Sequence, residues 1–185
     1  MESLTEIQIN AFDTLKQYET FQLREIGYDG VLENIVNVVN WNDHIDIRNF
    51  LKFEEDGCIR WFGLWDSATE EYVAYWGVHT DYKSSDGKKL YKGTYLMAKS
   101  GHGYGILLVK MLVDYLKEED NKKRAWIGMG PKTNVYDGVE IIADPTAKVS
   151  LAGYYLYHLN RFTGWDVAAE KNEFWTTVKF TYLFR

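Results

Sequence analysis

The sequence predicts an α/β chain, specifically an α+β arrangement in which a mixed, mostly antiparallel twisted sheet is flanked by helices. Three observations predict it. Two strongly aromatic runs, IRWFGLWD (59–66) and YVAYWGVHT (72–80), are joined by the short polar stretch Ser67-Ala68-Thr69-Glu70, which reads as an antiparallel hairpin. A third β-favouring run, KLYKGTYLMAK (89–99), passes through SGHGYG (100–105) into a segment where Ile106, Leu107, Val109, Val113 and Leu116 recur at helical spacing. The tail, DVAAEKNEFWTTVKFTYLF, reads as two more strands around Lys171-Asn172. With 185 residues, 46% of them hydrophobic and 16% aromatic, the chain is expected to form a single domain around one core.

The remaining elements follow in order. Leu4, Ile7, Ala11, Leu15 and Tyr18 recur at helical intervals behind Ser3 and Glu6, a capping-box pair, so residues 1–20 are expected to form an N-terminal helical extension. Phe21 to Ile26 alternate as a short strand, and Tyr28-Asp29-Gly30 turn into VLENIVNVVN, whose Val31, Ile35, Val38 and Val39 form a helical stripe. A second helical piece, IDIRNFLKF, precedes the hairpin, and the loop KSSDGKK follows it. After the main helix breaks into charge at Glu118 to Lys123, RAWIGMG (124–130) reads as a buried strand. Residues 131–148 read as a long irregular stretch, and KVSLAGYYLYHLNRF (148–162) as a helix.

Composition removes several functions. A net charge of -6, with basic residues scattered apart from Lys122 to Arg124, disfavours a nucleic-acid partner and a sheet that stacks single strands. Cys58 stands alone, and histidines at 44, 79, 102 and 158 are too dispersed to suggest a metal site. No apolar run approaches a membrane span, and MESLTEIQ lacks a basic-then-apolar leader pattern, so a cytoplasmic protein is expected.

The glycine-alternating turn carries the most chemistry. Between a strand and a helix, glycines let a ligand approach the backbone while the first helical amides and the helix dipole favour phosphate oxygens. The spacing discriminates among phosphate loops: Gly105 is followed by Ile106 and Leu107 rather than by the Lys-Ser/Thr of a nucleoside-triphosphate loop. A dinucleotide fingerprint would require a further glycine at 106 or 108 and a later acidic residue. The motif instead resembles the pyrophosphate-binding [QR]xxGxG[AG] of the GNAT N-acetyltransferase superfamily, as Ser100-Gly101-His102-Gly103-Tyr104-Gly105. Ser100 stands where that family has arginine or glutamine, which removes one side-chain contact and leaves the backbone cradle. The predicted order of elements from about residue 21 to 185 also resembles the GNAT acyl-CoA N-acyltransferase topology, with an extra N-terminal helix.

The resemblance implies an acetyl-CoA co-substrate and direct transfer of the acetyl group to a primary amine in a ternary complex. It places the pyrophosphate on Ser100, Gly101, His102, Gly103, Tyr104, Gly105 and Ile106, and the pantetheine arm and carbonyl on the backbone near Met97 and Ala98. It further implies that the strands at 89–99 and 124–130 run parallel and splay apart to admit that arm. The family's later helix motif, NxxAxxLYxxxGF, is matched at intervals by Ser150, Gly153, Leu156 and Tyr157. Ser150 thus joins the cofactor set and Tyr157 is the candidate acid for the departing thiolate, although such a tyrosine is equally an ordinary packing residue. Gly164-Trp165 falls three residues later than the family's ending.

No carboxylate lies in KLYKGTYLMAK, so His79 and Asp81, at the end of the preceding strand, are the candidate bases. Asp137, Glu140 and Asp144 suggest an acidic lid over the acceptor, favouring a cationic amine; a solvated surface insertion is the alternative. The expected partner is a small-molecule or protein amine, with a homodimer or larger assembly left open. The competing function is a catalytically inactive acetyltransferase-like protein that serves as a binding component, a reading suited by Ser100 and by the missing carboxylate.

Overall fold

Side chains of successive strand residues point to opposite faces, so a sheet whose strands are apolar at nearly every position must be covered on both sides. In β2 (Ile59–Asp66) and β3 (Glu71–His79), consecutive aromatic and aliphatic residues are buried, which requires helices above and below. The computed structural model describes residues 20–38, 40–41, 47–53, 57–99, 101–125, 135–143, 158–161, 167–171 and 178–184. With β1 (Phe21–Glu25), β4 (Leu90–Ala98), β5 (Gly138–Ala143), β6 (Val167–Lys171) and β7 (Val178–Leu183), these strands form a seven-stranded sheet in the order β1-β2-β3-β4-β5-β7-β6. Every pairing is antiparallel except β4 with β5. The predicted mixed sheet, its hairpin and its closing pair of strands are therefore present.

One face packs against α4 (Tyr104–Ala125), whose Ile106, Leu108, Val109, Leu112, Val113 and Leu116 meet Phe62, Trp76, Val78, Tyr91, Val139 and Phe180 of the sheet. The other face packs against three short helices, α1 (Gly27–Leu32), α2 (Ile35–Val38) and α3 (Ile47–Leu51). There Val31, Val38 and Phe50 cover Ile59, Trp61, Tyr75 and Met97. Glycines make room for the largest rings: a Cβ on Gly93 would collide with the Trp76 indole, and one on Gly77 would come within 2.9 Å of Trp61.

Three expectations change. The helix predicted over 31–40 is two pieces, with Glu33 and Asn34 between them. The main helix does not end where charge begins, because the run is a ladder of i,i+4 pairs: Lys122 with Glu118, Lys123 with Glu119, and Arg124 with Asp120. Its last turn carries Lys122, Lys123 and Arg124, which complement the negative end of the dipole. Arg124 and Ala125 are consequently helical, which corrects the strand predicted to start at Arg124; the rest of that run lies outside the described residues. Among the described residues the parallel neighbour of β4 is β5, inside the stretch expected to be irregular, where Val139, Ile141 and Ile142 supply β-branched residues behind Asp137 and Gly138. The N-terminal helix and most of the helix expected over 148–162 lie outside the described residues; His158 and Leu159 are helical and buried.

Candidate active site

The turn between β4 and α4 has the backbone its glycines permit. Gly101 and Gly103 hold φ values of 78° and 76°, in the left-handed region that L-residues rarely enter, and a Cβ on Gly101 would meet only open space. The first α-helical bond runs from Leu107 N to Gly103 O at 3.2 Å. The amides of Tyr104, Gly105 and Ile106 precede that bond, the cap residue Gly103 has no side chain to occupy them, and the first turn contains no acidic residue. A 22-residue helix thus presents its positive end through an open, glycine-lined cradle, a fit for a pyrophosphate. Gly105 brings the helix close to β4, since its Cβ would lie 3.5 Å from Leu96 and 3.6 Å from Ala98. The exposed His102 ring stacks on Tyr104 at 4.9 Å, and burial holds the Tyr104 phenol above its usual pKa, reinforced by the charges of Asp66 and Glu71.

Strand β4 leads from this cradle to the rungs it shares with β5. Its pairing with β5 covers only Leu90–Gly138, Tyr91–Val139 and Lys92–Glu140, after which β5 stays with β7 and diverges from β4. Alternate peptide groups of β4 beyond Lys92 point toward the side on which β5 diverges. The described parallel pair that parts in this way is β4 with β5; residues 126–130, where the family resemblance places the second strand, lie outside the described residues. Met97 contributes only backbone here, because its side chain is buried among Tyr75 and Trp61; Ala98 and Ile106 likewise pack into the α4 side. Between Gly77 and Val78 the register slips, leaving Thr94 as an extra residue on β4, a bulge just past the rungs shared with β5.

At the fork itself lies a polar row. His79 is the register partner of Lys92, which is the partner of Glu140, which is the partner of Thr181. Val78, Tyr91, Val139 and Phe180, the residues preceding these four, belong to the α4 face, so the row stands on the opposite face. Glu140 is 2% exposed, and its carboxylate accepts a 2.9 Å hydrogen bond from the Tyr82 hydroxyl. The Lys92 ammonium lies 4.7 Å from the centroid of the same Tyr82 ring.

Among the predicted site residues, the structure brings Met97, Ala98, Gly101, His102, Gly103, Tyr104, Gly105 and Ile106 together at the end of β4, the glycine turn and the start of α4. His79 stands at the fork, and its Nδ1 accepts a 3.4 Å hydrogen bond from the Asp81 amide; the Asp81 side chain is exposed. Ser100, Ser150 and Tyr157 lie outside the described residues. Glu140, expected in a lid, is instead a buried member of β5, and Asp137 is exposed but tied to β4 through the Lys89 amide at 3.0 Å; Asp144 lies outside the described residues. Sequence reading named Glu140 as a lid acid rather than a strand residue and did not name Lys92. The available signal was VEII, a short β-branched run with one acid in it. Among the described residues no cluster of potential metal ligands occurs, and no helix is long and apolar enough to cross a membrane.

No protein-family model matches the sequence, and no curated protein matches it. Solved structures do resemble it. The ribosomal-protein-S18-alanine N-acetyltransferase of Escherichia coli superposes with a TM-score of 0.53 at 9% identity, over 89% of this chain and 94% of that one. The dodecameric spermidine N-acetyltransferase of Vibrio cholerae superposes with a TM-score of 0.53 at 14% identity, over 90% of this chain and 95% of that one. At such low identity the likeness speaks of architecture, and together with the glycine cradle and the splayed β4 and β5 it establishes that this chain has the fold of the GNAT N-acetyltransferases.

Proposed function

We propose that the protein is an acetyl-CoA-dependent N-acetyltransferase that passes the acetyl group directly to a primary amine, with Glu140 as the base. The observation that carries this reading is a buried carboxylate on the last rung before β4 and β5 part. From Gly93 to Ala98 β4 spans about 17 Å at roughly 3.3 Å per residue, a length suited to an extended pantetheine arm. An arm anchored at Gly101 to Ile106 and running back along β4 would end beside Glu140.

When bound, acetyl-CoA supplies an already activated acyl group, so the chain has only to position, polarise and remove a proton. Backbone amides of β4 around the Thr94 bulge and near Met97 and Ala98 orient the arm and face the thioester oxygen. Glu140, held by Tyr82, takes the proton from the incoming ammonium; a desolvated carboxylate also attracts that cation into the fork. His79, two strands away on the same row, relays the proton outward with Asp81 at the solvent edge. Tyr157 and Ser150 keep the roles that the family motif gives them, acid for the thiolate and cofactor contact. The cytoplasm, where acetyl-CoA and free amines coexist, is the compartment this reading assigns.

The test combines binding and turnover. Acetyl-CoA at about 100 times its dissociation constant should stabilise the protein by about 2.7 kcal/mol. Thiol release should then follow with at least one member of a panel of polyamines, aminoglycosides, amino acids and peptides. Absence of both in the unmodified protein overturns the reading; a melting shift with no release across the panel supports a binder that has lost its chemistry.

A further inference from the structure

The same fork contains an amine of its own. Lys92 is half-buried on the final parallel rung, directly beside Glu140 and on the same face of the sheet. Neighbouring strands lie about 4.8 Å apart, so the two backbones are as close as strands allow. Yet no ion pair joins them: the ammonium is over the Tyr82 ring, while the Tyr82 hydroxyl is given to Glu140. Other lysines with described ion pairs are held by carboxylates, as Lys88 is by Asp86, Lys99 by Glu71 and Lys122 by Glu118. Lys89 and Lys117 also lie over tyrosine rings, but Lys92 alone of these three is the register partner of the buried Glu140, on the last rung before β4 and β5 part.

We infer that Lys92 is a self-acetylation site, an internal acceptor that takes the acetyl group at the fork. This rests on the proposed acetyl-CoA-dependent function and concerns the same site. In the step, the Lys92 ammonium gives a proton to Glu140 and its nitrogen lone pair forms the new bond to the acetyl carbonyl carbon. The carbon–sulfur bond breaks and CoA leaves as the thiolate, which takes up the proton that Glu140 received, so the carboxylate is restored; the second proton lost from the nitrogen passes to solvent. The products are N-acetyl-Lys92 and CoA, so the step needs no other reactant. Its consequence is electrostatic: acetylation removes the positive charge from the His79, Lys92, Glu140 row and leaves the buried carboxylate as the dominant charge there, which favours a cationic acceptor.

The experiment incubates the purified full chain with acetyl-CoA without any added amine and maps acetylated peptides by mass spectrometry over time. Lys92 should be modified at least tenfold faster than the exposed Lys83 and Lys122, Lys92→Arg should lose that peptide signal, and Glu140→Gln should slow it at least tenfold. Urea-unfolded protein should show no preference for Lys92, a comparison that keeps its meaning if a variant fails to fold. Equal or faster labelling of Lys83 and Lys122 overturns the inference. So does an unmodified Lys92 in a protein whose melting temperature rises with CoA and which acetylates added amines, and that result leaves the proposed function standing. No melting rise, no transfer and no acetyl on Lys92 overturns both.

Discussion

The Tyr82 hydroxyl donates a 2.9 Å hydrogen bond to the buried Glu140 carboxylate, joining the loop after β3 to the strand that forms the far wall of the fork. A buried carboxylate depends on such a donor, and hydrogen bonds to charged groups contribute about 1.5–3 kcal/mol. Tyr82→Phe should therefore lower stability by about 1–3 kcal/mol in urea denaturation. Glu140→Gln preserves shape and hydrogen-bonding capacity but cannot take the proton. On the proposed mechanism it should reduce kcat about 10²–10⁴-fold, the range expected for loss of a general base, while the CoA-induced melting shift persists. Loss of the shift together with activity would mean that Glu140 acts in binding.

The glycine cradle yields an independent prediction. Gly103, at φ 76°, can accept a Cβ only with strain of about 1–2 kcal/mol, and a carboxylate there would point negative charge at the helix amides. Gly103→Glu should abolish stabilisation by CoA in a thermal-shift assay. Gly105→Ala should retain most of it, because its Cβ would make ordinary contacts with Leu96 and Ala98. Equal loss in both variants would argue against a backbone cradle and for general damage to the α4 start.

Much of this architecture is legible locally. The aromatic hairpin of β2 and β3 and the turn at Gly101 to Gly105 announce themselves through residues that are neighbours in the chain, where alternation and glycine spacing act directly. The fork is not local in that way. Glu140 becomes a partner of Lys92 only through a parallel rung between distant segments, and a six-residue strand that follows Asp137, begins with Gly138 and contains an acid looks like loop to any local pattern. The end of α4 was misread for a related reason. Its charged tail is helical because each charge meets a partner four residues away and because Arg124 is held from outside, by the Tyr136 carbonyl at 2.7 Å.

Arg60 links β2 to β1 and α4 by hydrogen bonds to Glu25 and Glu119, each with a 2.9 Å contact. Burial alone would raise the Glu119 carboxyl, but the Arg60 hydrogen bond and charge outweigh it and hold that group below its usual value. A depressed carboxyl contributes stability above its unfolded pKa of about 4.3 and loses it as pH falls through the folded value. Arg60→Met should consequently cost about 1 kcal/mol at pH 7, with the cost shrinking as pH drops below about 4. Chemical denaturation of both proteins at several pH values checks this, and a constant difference across that window would assign the effect to packing against Phe62 instead.

Asp120 fixes where β5 begins, and through it where Glu140 lies. Its side chain is almost fully buried on α4, one oxygen accepting the Tyr136 amide at 2.7 Å and the other the Arg124 guanidinium at 2.7 Å. Tyr136 in turn stacks on Tyr91 of β4 at 3.7 Å and donates its hydroxyl to the Thr80 carbonyl at 2.9 Å, so one carboxylate anchors the approach to the parallel rung from two sides. Removing it leaves a buried amide unsatisfied and releases an arginine, a loss of about 3–5 kcal/mol for a broken buried pair. Asp120→Asn keeps one acceptor oxygen and should lose less than Asp120→Ala. If Asp120 acts by positioning, Asp120→Asn should lower kcat for amine acetylation while the CoA-induced melting shift stays unchanged, since the cradle lies at the other end of α4. A proportional loss of CoA stabilisation would instead show that the whole helix had moved.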